Sequence, residues 1–270
     1  MYLLGYRQAE QDRLERQALE LAEESDWLFD QIGVGDGWRV VEVGCGPRGC
    51  LDLLSRRVGA TGRVVGVERS TEQAETARRF VADRPLPNVE VLAADVRASD
   101  LAAGAFDLAT ARLVLVNVPE PRQIVAEMVR FVRPGGFVAL HEADAAFQRC
   151  EPPHPAQTRL LQLLDAYAQA NGIDRFVGLK VPGMLREAGL LDVRVNPLIH
   201  VYPLAHGRRM LLLDFVENAR SRLVDSGLVG EDDLEMLTTA LRRHLEDPAT
   251  LVVSSLFIQA WGRVPDLATA

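Results

Sequence analysis

The chain has 270 residues, 48% hydrophobic and 25% charged, which suits one large globular domain or a core with a helical addition. A formal net charge of −8 sets nucleic acid and anionic membranes aside as partners, and no stretch approaches the ~20 apolar residues of a membrane span. Cys45, Cys50 and Cys150 are odd in number and lack zinc spacing with the five histidines, which predicts a reduced, cytoplasmic, metal-free protein.

In chain order, residues 7–30 place Leu14, Ala18, Leu21 and Leu28 on one face and predict an amphipathic helix. The glycine-rich run 33–37 ends it. Strands are then expected at 39–43, 63–67, 89–93, 106–111 and 137–140, with helices at 51–58, 71–83 and 120–132 between them. Strands alternating with helices at this spacing predict an α/β fold with a doubly wound, mostly parallel sheet. After Asp144 the rhythm changes. Pro152, Pro153 and Pro155 mark a connection, helices are expected at 157–170 and 181–188, and strands at 192–202 and 251–262. The helical stretch 208–245 between the last two strands is too long for a hairpin loop. The expected organisation is a helical cap (1–32), a nucleotide-cofactor core (33–150), and a C-terminal half (151–270) with a lid insertion at about 207–250.

The most informative segment is Val40-Val-Glu-Val-Gly-Cys-Gly-Pro-Arg-Gly49, an apolar strand running through Glu42 into a glycine turn before a helix. Glycine supplies positive φ and lets a ligand approach bare backbone, while the helix start offers free N–H groups. Read literally, Gly44-x-Gly46-x-x-Gly49 matches a dinucleotide fingerprint, with Glu68 near the expected ~20 residues downstream. Against a dehydrogenase, Tyr167 is followed four positions later by Asn171, and the single lysine, Lys180, has no partner tyrosine.

Several positions in order resemble the class I S-adenosylmethionine-dependent methyltransferases. Glu42 stands two residues before the first glycine. Glu68 ends Val64-Val-Gly-Val-Glu68, where that family's acid takes the ribose hydroxyls. Asp95 follows Val91-Leu-Ala-Ala, where an Asp takes the adenine amine. The turn Arg133-Pro-Gly-Gly136 precedes strand five. The resemblance implies a seven-stranded sheet with an N-terminal helical cap and a helical insertion before the last strand. It further implies S-adenosylmethionine as cofactor, S-adenosylhomocysteine as product, and Gln17, Glu42, Gly44, Gly46, Glu68, Arg69, Asp95, Val96 and Arg112 as binding residues. One departure is Arg48, where the family often has glycine; the glycine comes one residue later.

The chain is further similar to bacterial, especially actinobacterial, small-molecule methyltransferases in Tyr2-Leu-Leu-Gly5, Arg13-Leu14, Gln17, Ala111-Arg-Leu-Val-Leu-Val-Asn-Val-Pro119, His141-Glu-Ala-Asp144 and Trp261-Gly262. That similarity implies Arg13 and Gln17 at the methionine end of the cofactor, and a small-molecule methyl acceptor for a monomer or homodimer. His141, Glu142 and Asp144, at the end of strand five, are the candidate bases, followed by His154, His200 and His206. A base is needed only for an acceptor that arrives protonated. Met210, Leu211, Phe215 and Val216 fit either an apolar acceptor pocket or helix core. The alternatives are a cyclase-like enzyme or sensor that binds the cofactor without transferring methyl, and an NAD-dependent oxidoreductase.

Overall fold

The computed structural model describes residues 8–266. Two helices, α1 (Gln8–Glu20) and α2 (Ala22–Ile32), precede β1 (Arg39–Val43). There follow α3 (Leu51–Val58), β2 (Arg63–Glu68), α4 (Thr71–Ala82), β3 (Val89–Ala93), β4 (Phe106–Arg112), α5 (Pro121–Phe131) and β5 (Val132–Asp144). The second half holds β6 (Arg149–Glu151), α6 (Pro155–Ala170), α7 (Val181–Glu187) and β7 (Leu191–Leu198). It closes with α8 (Leu211–Asp225), α9 (Glu231–Glu246), β8 (Leu251–Val253) and β9 (Leu256–Arg263).

Seven strands form one sheet in the order β3-β2-β1-β4-β5-β9-β7. The first five run parallel, and β9 lies antiparallel to both β5 and β7. Val40, Val41, Val64, Val65, Leu108 and Ala109 are fully or nearly buried, as strands covered on both faces require. The order reverses between β1 and β4. Such a switch point leaves a crevice at the carboxyl ends of the strands, where open α/β sheets bind ligands.

The structure departs from the sequence expectation near both ends of the chain. The run 251–262 is two strands, not one. β8 pairs with β6 in a separate ribbon, while β9 joins the main sheet. Ser254 makes the break, its hydroxyl accepting from the His200 N–H at 2.9 Å. The stretch 208–245 splits into α8 and α9 at Gly227, whose φ is +73°. These helices pack with α6 around a second core, with Leu160, Leu163, Val216, Leu223 and Leu241 at its centre. The expected helix 7–30 bends at Leu21, where Ser25 Oγ donates back to the Leu21 carbonyl at 2.9 Å and competes with the helical ladder.

Candidate functional site

The turn after β1 is shaped by its glycines. Gly44 has φ +67°, and a Cβ there would fall 2.5 Å from Val114 Cγ2. Gly49 has φ +53°, and a Cβ would fall 2.6 Å from Glu42 Oε1. Only glycine fits both the conformation and the space. Glu42 is buried and takes the Cys50 N–H on both oxygens, at 2.8 and 3.0 Å. It thereby receives a free donor at the start of α3. Burial pushes its carboxyl up to about 7, against the opposing pull of Arg112.

Glu68 ties the end of β2 to this turn. Its Oε2 accepts from Gly46 N at 3.0 Å and its Oε1 from Ser70 N at 2.7 Å, while burial raises its pKa. Asp95 accepts from the backbone N–H of Arg97 and is paired with its guanidinium at 2.7 Å, which holds the carboxyl below its usual range. Arg112 donates to Ser25 Oγ (2.9 Å) and to the Gly49 carbonyl (3.2 Å) and so clasps the glycine turn to α2. Gln17 accepts from Arg13 at 2.8 Å.

These groups surround one open cavity at the switch point, about 1740 Å³ with the adjoining solvent space included. All nine residues expected to bind cofactor are among those lining it. The far half is walled by Leu164, Leu211, Phe215 and Phe257, together with Arg13, Arg175 and Arg208. Helix α8 therefore has two inward faces. Val216 enters the helical core, whereas Leu211 and Phe215, four residues apart, line the cavity, Phe215 also packing on the core's edge. Met210 packs against the helical core instead.

The expected bases are placed differently. His141, Glu142 and Asp144 are buried and are not among the lining residues. Glu142 accepts from the backbone N–H groups of Val114, Leu115 and Val116 at 2.9, 2.9 and 3.2 Å, holding the turn after β4. Asp144 accepts from Ala146 N and Leu179 N. A carboxylate buried at a strand end is committed to the loop N–H groups that cover it, and these two are spent in that way. His141 packs edge-on to Phe257, and burial, with the Arg112 and Arg208 charges, drives its pKa down to about 3. It is neutral at pH 7. His154 and His206 each accept a backbone N–H at a helix start, and His200 Nε2 lies 3.0 Å from Glu24 Oε1.

Arg48, the departure in the glycine turn, is held by its neighbours. It pairs with Asp52 at 3.0 Å and lies over the Phe80 ring at 4.9 Å. Residues 2–5 of the small-molecule signature lie outside the described residues. Sequence reasoning missed Gln73, a buried lining residue whose Nε2 has no hydrogen-bond partner. Its position in the first turn of α4, behind the Ser70 cap, was the available signal.

Residues 41–140 match a family model described as "Methyltransferase domain". Those residues resemble a methyltransferase domain. The chain is 37% identical over 182 residues to an uncharacterized 37.1 kDa protein in transposon TN4556 of Streptomyces fradiae, covering 65% of this chain and 50% of that one. It is also 37% identical over 113 residues to a trans-aconitate 2-methyltransferase of Azoarcus sp., covering 42% of each. The chain thus spans half the length or less of these two curated relatives. Among solved structures, a SAM-dependent methyltransferase from Aquifex aeolicus superposes with a TM-score of 0.54 at 22% identity, covering 74% of this chain and 93% of that one.

The residues lining the cavity fit S-adenosylmethionine. The glycine turn leaves backbone bare at the cavity, and the Glu68 carboxylate, an acceptor, lines the cavity beside that turn. The unpartnered Gln73 amide faces the same space. No pyrophosphate-sized anion site is needed for this cofactor.

Proposed function

We propose that the protein transfers the methyl group of S-adenosylmethionine to a small organic acceptor, of the kind made in bacterial specialised metabolism. The observation that supports this reading is the convergence of Gly44, Gly46, Glu68, Asp95 and Val96 on one cavity whose opposite half sets Leu164, Leu211, Phe215 and Phe257 beside three arginines. Bound cofactor supplies an activated methyl group, and the chain's residues align the acceptor and exclude water, where proximity provides much of the rate. The first half of the cavity holds the adenosine. Arg112 and Glu142 act as positioning residues, one fixing the glycine turn and the other the loop after β4. Because Glu142 and Asp144 are committed to backbone, the reading assigns neither as a base and favours an acceptor that arrives deprotonated or is intrinsically nucleophilic.

The division into cap (1–32), core (33–150) and C-terminal half with lid (151–270) belongs to the same proposal. Gln17, Glu68 and Phe215, one from each part, all line the cavity. Calorimetric titration with S-adenosylmethionine, S-adenosylhomocysteine and NADH tests the cofactor half. Micromolar binding of both sulfur compounds and no NADH signal is the expected result. Binding of NADH alone would make hydride transfer the correct reading.

A further inference from the structure

Among the described residues, seven buried side-chain polar atoms have no hydrogen-bond partner, and six belong to a single cluster behind the far wall of the cavity. They are Glu24 Oε2, both ring nitrogens of His141, His200 Nε2 (in contact with Glu24 Oε1 at 3.0 Å), Tyr202 Oη and Arg208 Nη2. Phe257 joins the group: its ring centroid lies 5.6 Å from His141, 5.7 Å from His200 and 5.9 Å from the Arg208 guanidinium carbon. Tyr202 stacks on His200 at 6.2 Å. Of the five side chains, Arg208 lines the cavity.

The lining carboxylates are confined to one half of the cavity, where Arg69, Arg97 and Arg112 accompany them. The lining carboxylates are Glu42, Glu68 and Asp95, all from the ends of β1 to β3. The far half contributes Arg13, Arg175 and Arg208 and no lining carboxylate. Arg13 is paired with Glu10 and Arg175 with Asp165, both acids lying behind the wall. Arg208 is 7% exposed. Its Nε is paired with Glu20 at 2.5 Å, while Nη2 completes no hydrogen bond and the guanidinium lies beside the Tyr202 hydroxyl. An arginine donor buried beside apolar side chains costs free energy until an acceptor reaches it, and an anionic oxygen is its best partner.

We propose that the methyl acceptor carries an anionic oxygen group, a carboxylate or an ionised enol or phenol, and that Arg208 Nη2 receives it. The apolar body of the acceptor lies against Leu164, Leu211, Phe215 and Phe257. Arg208 is then the residue that selects acidic acceptors over neutral ones of the same shape. This inference rests on the methyl-transfer reading above, since it places the acceptor in the half of the cavity that the cofactor leaves open.

The test uses the full chain saturated with S-adenosylhomocysteine and titrated with two matched pairs, 1-naphthoate against 1-naphthamide and decanoate against decanamide. The expected result is that at least one carboxylate binds about tenfold or more tighter than its amide, the ratio given by one charge-assisted hydrogen bond. In Arg208→Gln that preference falls to within about twofold while S-adenosylhomocysteine affinity is kept. The wild-type comparison stands even if the variant folds poorly. Equal affinity within both pairs, or no binding of any of the four, in protein that binds S-adenosylhomocysteine would overturn the anionic acceptor and leave the cofactor reading intact. Failure to bind S-adenosylhomocysteine would remove both.

Discussion

Gly49 and Glu42 show how little freedom a cofactor turn leaves its residues. A methyl group at Gly49 meets both Glu42 oxygens, at 2.6 and 2.7 Å, and the Cys45 carbonyl at 2.8 Å, on a backbone at φ +53°. Gly49→Ala is expected to lose about 1–3 kcal/mol of stability in urea unfolding, with weaker S-adenosylhomocysteine binding in the folded fraction. Gly49 therefore carries the conformational demand, and Arg48 is free to pair with Asp52. Glu68 poses the opposite test, because its oxygens serve both the turn and the proposed ribose site. Glu68→Gln keeps one backbone acceptor but loses the charge, so calorimetry should show S-adenosylhomocysteine affinity lower by about 1–2 kcal/mol in a chain that still unfolds cooperatively. Unchanged affinity would detach Glu68 from the ribose.

At the scale of elements, the parallel strands were legible because valine-rich runs buried on both faces admit one reading. β3 starts and ends where the sequence places it. The strand after α9 was not legible, since nothing local distinguishes the part that pairs with β6 from the part that pairs with β5. Arg209 stabilises that arrangement. It is 3% exposed and donates to the carbonyls of Tyr202, Leu245, Asp247 and Thr250, joining the end of α9 to the connection before α8 and to β8. Arg209→Ala leaves four carbonyls short of a donor and is expected to cost about 3 kcal/mol or more. Hydrogen exchange should show faster opening of α8, α9 and β8 while β1 to β4 stay protected. Arg209→Lys should rescue little, because an ammonium lacks the planar fork that reaches several carbonyls at once.

For the whole molecule, buried ionisable groups set the pH dependence of stability. Glu42 and Glu142 are each raised from 4.5 to about 7, so the folded chain keeps protons that the unfolded chain releases. Their contribution is full below about pH 4.5 and is lost as pH rises toward 7. His141, lowered from 6.5 to about 3, acts in the other direction: below about 6.5 the unfolded chain takes up a proton that the folded chain refuses. Two carboxyls against one imidazole leave a net decline, so the urea midpoint should fall between pH 5 and pH 7.5. A midpoint that rises across that range would contradict the burial of both carboxyls.

The sequence by itself determined the parallel core, the glycine turn and the order of acids along β1 to β3, because strand burial and turn conformation are local demands that leave local signatures. It also singled out nine residues that line the cavity, though not Gln73. Only the tertiary structure decided what the remaining polar residues do. His141, Glu142 and Asp144 have side chains suited to catalysis, yet loop N–H groups and ring contacts from other parts of the chain engage them within the fold. Arg208, unremarkable in sequence, becomes the cation with an unpaired arm because α1 and the insertion bury it beside the cavity. A side chain's chemistry is written in its residue type, but its availability depends on which distant donors and acceptors the fold brings within reach.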